Sequence, residues 1–242
     1  MQQMQAPDAT SLGQPDRPVA GPQGSDPQFV VECTFSHAVA DDPIVHPGVP
    51  GASHLHVFFG NTGTDAFSTT ESLVGHRITT CDERRDTAAY WAPALSRGNT
   101  PILPVKSTAY YRAGVGVDPT TVQPFPKGLV MIAGSAGAMA AQPVSIVAWS
   151  CGTSSDRLAE PPTCGVDRGL RLIVTFPDCW DGVHLDTPDH HAHVAYSHLG
   201  HCPNGFPVPV PQLQFAVEYP VHGATDGLQL ASGGVLTDLK RA

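Results

Sequence analysis

Glycine and proline, 24 of each in 242 residues, take about one position in five. Proline removes a backbone donor and fixes φ, and glycine weakens any helix or strand that contains it. A chain punctuated this often cannot form a helical bundle or a coiled coil; it can form short strands joined by loops. Hydrophobic residues make up 41% and charged residues only 14%, so the loops must surround a real core rather than a solvated coil. No stretch approaches the ~18 apolar residues that a membrane span needs. The formal charge of −9 argues against a nucleic-acid partner, which would call for a basic stripe.

Residues 1–28 carry Pro7, Pro15, Pro18, Pro22 and Pro27 among Gln, Gly and Asp, and read as a disordered leader or linker. The segment 29–242 shows neither a repeat nor a second linker and reads as one domain. Candidate strands are Phe29–Val31, Ser53–Phe59, Ala109–Arg112, Leu129–Ala133, Val144–Trp149, Leu170–Phe176, His193–Tyr196 and Gln212–Tyr219. Leu170, Leu172, Val174 and Phe176 alternate with a second set of neighbours, as do Leu213, Phe215, Val217 and Tyr219, the period of a strand with one buried face. Ser68-Thr69-Thr70-Glu71 has the spacing of a capping box, which predicts one or two helical turns through Val74. The fold class is therefore mainly β: a single-domain sandwich of jelly-roll type with long Gly/Pro-rich loops and disulfides.

The six cysteines include no CxxC pair, which disfavours a zinc ribbon or a thioredoxin-type centre and suits three disulfides in an exported protein. Cys151 and Cys164 bracket a polar loop with nothing hydrophobic to hold it, so they are the first expected pair. Cys179 with Cys202 and Cys33 with Cys81 follow. Met1 precedes polar residues rather than an apolar leader, so secretion is inferred from the cysteines alone.

Two histidine groups carry the chemistry. In Ser53-His54-Leu55-His56-Val57-Phe58-Phe59, residues two apart on a strand point the same way. His54 and His56 would then present two imidazoles on one face, with Leu55, Val57 and Phe59 toward the core. Imidazole pairs of this kind bind zinc, copper, iron or nickel. The second group crowds Asp178, Asp181, His184, Asp186, Asp189, His190, His191 and His193 into a loop-rich stretch. A solvated loop explains the aspartates but not the histidines beside them. Tyr196 stands close enough in sequence to serve as an acid or base. Tyr110-Tyr111-Arg112 can bind an anionic or sugar group, although two aromatics on a strand also suit plain packing. Ala133-Gly134-Ser135-Ala136-Gly137 falls short of a nucleophile elbow, and His37, His46, His76, His198, His201 and His222 are individually uninformative.

In order, the chain resembles a family of secreted bacterial and fungal proteins catalogued as a domain of unknown function. The resemblance rests on Asp42-Pro43-Ile44-Val45, Pro47-Gly48, Ser53-His54-Leu55-His56 and Phe58-Phe59-Gly60-Asn61. It continues through Ala89-Tyr90-Trp91-Ala92-Pro93-Ala94-Leu95, Tyr111-Arg112, Pro126-Lys127-Gly128-Leu129 and Met131-Ile132-Ala133-Gly134. It closes on Trp149-Ser150-Cys151, Phe176-Pro177-Asp178-Cys179-Trp180-Asp181-Gly182, Leu185-Asp186, Asp189-His190, His193, Ala195-Tyr196, Cys202-Pro203 and Pro211-Gln212-Leu213. The resemblance implies polysaccharide surroundings, since fungal relatives look like plant-biomass secretome proteins. It puts His54, His56, His190 and His193 at signature positions and His191 at a variable one.

The expectation is a secreted, metal-dependent enzyme that cleaves glycosidic bonds of an extracellular polysaccharide. His54, His56, His190 and His193 would hold a divalent transition metal, copper or zinc. Asp189 would orient a ligand, Tyr196 or Asp181 would move protons, and Arg112 would bind substrate. Copper would instead allow oxidative cleavage from the same ligands. A non-catalytic wall- or glycan-binding protein with structural histidines is the competing class, and its mark would be an exposed aromatic platform. Neither a nucleic acid nor a membrane is expected as a partner, and the sequence does not fix the oligomeric state.

Overall fold

The computed structural model describes residues 2–4, 19–20, 27–136, 138 and 142–233. The architecture is mainly β, as expected, and every strand pairing is antiparallel. One large curled sheet runs Val147–Cys151, Leu170–Thr175, Gln212–Tyr219, Lys106–Arg112, Pro27–Val39, His56–Gly60, Ala89–Pro93, Gln2–Met4 and Val130–Ile132. Within the expected leader, Gln2–Met4 joins this sheet, Val19–Ala20 pairs with the start of the long strand at Pro27 and Gln28, and residues 1, 5–18 and 21–26 lie outside the described residues.

Pro27–Val39 folds the sheet on itself. Gln28 to Thr34 pair with Lys106–Arg112, the register shifts between Phe35 and His37, and the far end pairs with His56–Gly60. A bulge bends a strand and increases its twist, so one strand belongs to both halves of the sandwich. Phe215 from the first half stacks on Tyr90 at 5.6 Å between ring centroids and meets Phe59 edge-on at 5.9 Å, both from the second half. Leu170, Leu172, Val174, Leu213, Val217 and Tyr219 complete this interior, the alternating residues that the sequence assigned to a buried face. A smaller cluster of Ile44, Phe58, Leu73, Ala89 and Trp91 packs the other face of the second half.

The helix spans Thr70–Gly75, one residue later than the spacing suggested. Thr69 is the cap, and its side chain and that of Ser72 close the box in place of Ser68 and Glu71. Ser68 is occupied elsewhere, its hydroxyl meeting Asp65. The strand at the histidine pair begins at His56 rather than Ser53, and Ala89–Pro93, which carries no alternation, was not foreseen as a strand. All three expected disulfides form: Cys33–Cys81, Cys151–Cys164 and Cys179–Cys202. Among the described residues no helix is long and apolar enough to cross a membrane.

Candidate functional site

A cavity of about 390 Å³ gathers four imidazoles, those of His46, His54, His56 and His191. Its walls come from the loop between Asp42 and His54, from Ile132 to Ala136, and from the inward side chains Val147, Leu172 and Val174. Buried aspartates shape the first wall. Asp41 accepts from the backbone N–H of Gly51 at 2.8 Å and of Ala66 at 3.0 Å; Asp42 accepts from those of Ile44 and Val45 at 3.0 and 2.9 Å. Burial pushes the Asp42 carboxyl above its ordinary range, against those two hydrogen bonds.

His54 and His56 lie side by side with ring centroids 4.3 Å apart, although His54 precedes the strand. His56 is 1% exposed, and its Nδ1 lies 2.9 Å from the carbonyl oxygen of Asp41. A carbonyl only accepts, so Nδ1 carries the proton and Nε2 keeps the lone pair. The Nε2 of His54 is buried without a hydrogen-bond partner. Burial lowers His54 to about 4, and burial together with the His54 charge lowers His56 to about 3. Both rings are neutral at neutral pH, the form that binds a metal.

The loop supplying the other histidines lies along the edge strand Val130–Ile132. The backbone N–H of Val130 donates to Leu185 O at 2.8 Å, and that of Ile132 to His190 O at 3.3 Å. His190 takes a left-handed φ of 55°, and its Nδ1 is 2.7 Å from Asp186. His191 lines the cavity, half-buried, and burial lowers its pKa. His193 is fully buried, with Nε2 donating to Val130 O at 2.7 Å and Nδ1 2.9 Å from Thr187 Oγ1. The structure thus brings the HxH pair together with His191 and His46, while His193 pins the loop to the edge strand. Among the described residues no three His, Cys, Asp or Glu side chains converge in a metal-binding arrangement.

The other expected site residues stand apart from the cavity lining. Asp189 caps the turn at His191 and Ala192, whose N–H groups hold its carboxyl well below the usual range, and it accepts from Thr187 Oγ1 at 2.8 Å. Burial tends to raise the Asp181 carboxyl, but hydrogen bonds with His184 and the backbone of Val183 outweigh it and hold it at about 2. The Tyr196 phenol donates to Thr175 O at 2.9 Å and is pushed up by burial. Arg112 lies elsewhere, donating to Gln214 Oε1 at 3.0 Å.

Sequence reasoning named His191 in the second histidine group and Asp42 in a motif but gave neither of them, nor His46, a role in the site. Asp42 and His46 flank Pro43 and Pro47 in the first motif, the one signal that could have found them. Ser135, from the imperfect elbow, also lines the cavity, with its N–H donating to Gln142 Oε1 at 2.8 Å; Gly137 lies outside the described residues. No curated protein and no solved structure matches the chain. Residues 42–235, from the Asp42 loop to beyond the last cavity-lining residue, match the model of a domain of unknown function, DUF1996, and the chain belongs to that family.

Proposed function

We propose that this chain is a secreted, metal-dependent enzyme that cleaves glycosidic bonds of an extracellular polysaccharide in the histidine-lined cavity. The observation that carries the reading is the buried, unpartnered Nε2 of His54 beside His56. An unsatisfied buried polar atom costs roughly 1–3 kcal/mol, and a metal ion bound to that nitrogen in its unprotonated form would remove the cost. The donor set fits: two neutral imidazoles, one with its tautomer fixed by a backbone carbonyl, as ligand histidines require. His54 and His56 would hold zinc or copper, with His191 and His46 in the same cavity. Bound there, the ion would polarise a substrate oxygen or activate water.

The protein's own groups do the rest. Apolar walls at Val147, Leu172 and Val174 exclude water, while Ser53, Ser135 and Gln142 offer hydrogen bonds to sugar hydroxyls. Asp42, which lines the cavity and whose carboxyl burial raises, would be the wall's proton donor, whereas Tyr196 and Asp181 are not among the lining residues. The polysaccharide class rests on the family resemblance. Secretion rests on three disulfides, which persist in oxidising compartments. A glycan-binding platform finds less support among the tryptophans. Trp91 and Trp149 are buried, and Trp180 is partly covered with its indole N–H on His184 O at 2.6 Å.

The test is metal analysis of protein purified without chelator or histidine tag, followed by product analysis on a polysaccharide panel. His54→Ala and His56→Ala should lose bound metal and most turnover, while His198→Ala should keep both. Oxidised chain ends would assign copper chemistry, and unmodified reducing ends would assign hydrolysis. Metal content and turnover undiminished in both variants would refute the reading.

A further inference from the structure

A second pocket lies on the opposite face of the Leu170–Thr175 strand. Leu172 and Val174 line the histidine cavity, and Arg171, alternating with them, lines a pocket of about 30 Å³ with Arg112, Arg157, Tyr110 and Gln214. The Cys151–Cys164 disulfide ties down the loop that supplies Arg157 and the hydroxyls of Thr153, Ser154 and Ser155. Leu158 of that loop pairs with Trp149 at the sheet edge and fixes its course.

The charge balance of this pocket is unusual in a chain of net charge −9. Arg112 Nη2 and Arg157 Nη2 both donate to one neutral oxygen, Gln214 Oε1, each at 3.0 Å. Arg171, 7% exposed, donates to Gly152 O at 2.9 Å and Tyr110 Oη at 3.4 Å. Among the described residues neither Arg157 nor Arg171 has a carboxylate within ion-pair distance. Asp156 is turned to Ser154 Oγ at 2.7 Å, and Glu218 is only the register partner of Arg171. Burial first, then the neighbouring Arg171 and Arg112 charges, lower the Arg157 pKa, so the cluster repels itself. Positive charge held at Arg157 and Arg171 with no ion-paired carboxylate among the described residues is costly to cover, and a planar guanidinium fork matches an oxyanion in two hydrogen bonds.

We infer that this pocket binds one small oxyanion, the group shared by inorganic sulfate, inorganic phosphate and the carboxylate of an acidic sugar. Its volume is about twice the ~10–15 Å³ that a single water needs, which suits a group of a few atoms and not a whole sugar ring. The inference stands independently of the histidine cavity.

Isothermal titration of the full chain with sodium sulfate, sodium phosphate and sodium glucuronate, each matched in ionic strength with sodium chloride, tests it. At least one should bind saturably with one-to-one stoichiometry and a millimolar Kd. Arg157→Gln should weaken that binding by tenfold or more. Arg157→Lys, which keeps the charge but loses the fork, should retain part of it and guards against a folding defect in the first variant. Arg168→Gln, an exposed arginine outside the pocket, and His54→Ala should bind as the unaltered chain does. Binding of sulfate or phosphate would assign a free ion, and binding of glucuronate alone would assign a sugar carboxylate. No saturable binding above the chloride control, or equal binding by Arg157→Gln, would overturn the inference.

Discussion

Replacing Asp86 with asparagine tests how the interior of the sandwich treats a buried charge. Asp86 is 1% exposed; its Oδ1 accepts from Ala88 N–H and its Oδ2 from Tyr90 Oη, both at 2.8 Å, and Tyr90 Oη lies 2.7 Å from Tyr111 Oη. Burial outweighs those hydrogen bonds and raises the carboxyl from 3.8 to about 6. The folded chain therefore holds this proton more tightly than the unfolded chain. The stabilisation is fully present below pH 3.8 and is lost as pH rises through about 6. At ~1.4 kcal/mol per tenfold change in proton affinity, the loss is about 3 kcal/mol at pH 7 and about 0.5 kcal/mol at pH 4. Asn cannot ionise, and its amide can donate to Tyr90 Oη while its oxygen still accepts from Ala88 N–H. Urea unfolding with disulfides intact should show Asp86→Asn gaining about 2.5 kcal/mol on the unaltered chain between pH 4 and pH 7. Curves that run parallel within about 0.5 kcal/mol across that window would show that burial does not perturb this carboxyl.

His56 should give the opposite limb. Its depressed pKa means that only the unfolded chain takes up the proton as pH falls from 6.5 toward 3, so metal-free protein in chelator should lose about 2 kcal/mol by pH 5. His56→Gln should flatten that loss in the same unfolding series, and an unchanged slope would count against a neutral buried ring. Cys151→Ser with Cys164→Ser should cost about 3 kcal/mol by the loop-entropy argument, read as a lower urea midpoint. The same pair should weaken oxyanion binding, because the loop carrying Arg157 is released. Gly60→Ala places a side chain on a φ of 79° and drives its Cβ onto the Ala88 carbonyl oxygen. It should cost about 1–3 kcal/mol and lower Tm by roughly 2–4 °C for each of them; an unchanged Tm would mean that the backbone there shifts freely.

How much of this the sequence disclosed depended on whether a local pattern had a single structural solution. Gln212–Tyr219 appears with the expected bounds because its inward residues alternate with outward Gln and Glu, and only a strand satisfies that period. Ala89–Pro93 is buried at all five positions, so burial erased the alternation that would have marked it. The HxH pair was legible because two residues on an extended backbone point the same way wherever the chain goes. The loop histidines were not. His190 turns through a left-handed conformation that local sequence does not dictate, and that turn sends His191 to the cavity and His193 into the interior. His46 and Asp42 reach the cavity through a loop held by Asp41, a contact between distant residues that no spacing rule reveals.

The order of strands in the large sheet has a consequence for how the chain reaches its fold. Phe29 pairs with Tyr111, and Tyr111 with Leu213, so the centre of the sheet joins residues from near the start, the middle and near the end of the chain. Those ladders cannot close until long loops have been brought together, and the entropy of closing them slows the folding of such topologies. The disulfides span only 13, 23 and 48 residues, so each can form from chain segments already close in sequence. Oxidation is then expected to run ahead of sheet closure. Partly folded chains with paired cysteines and open strand edges should then be the species most exposed to aggregation on the way to the fold.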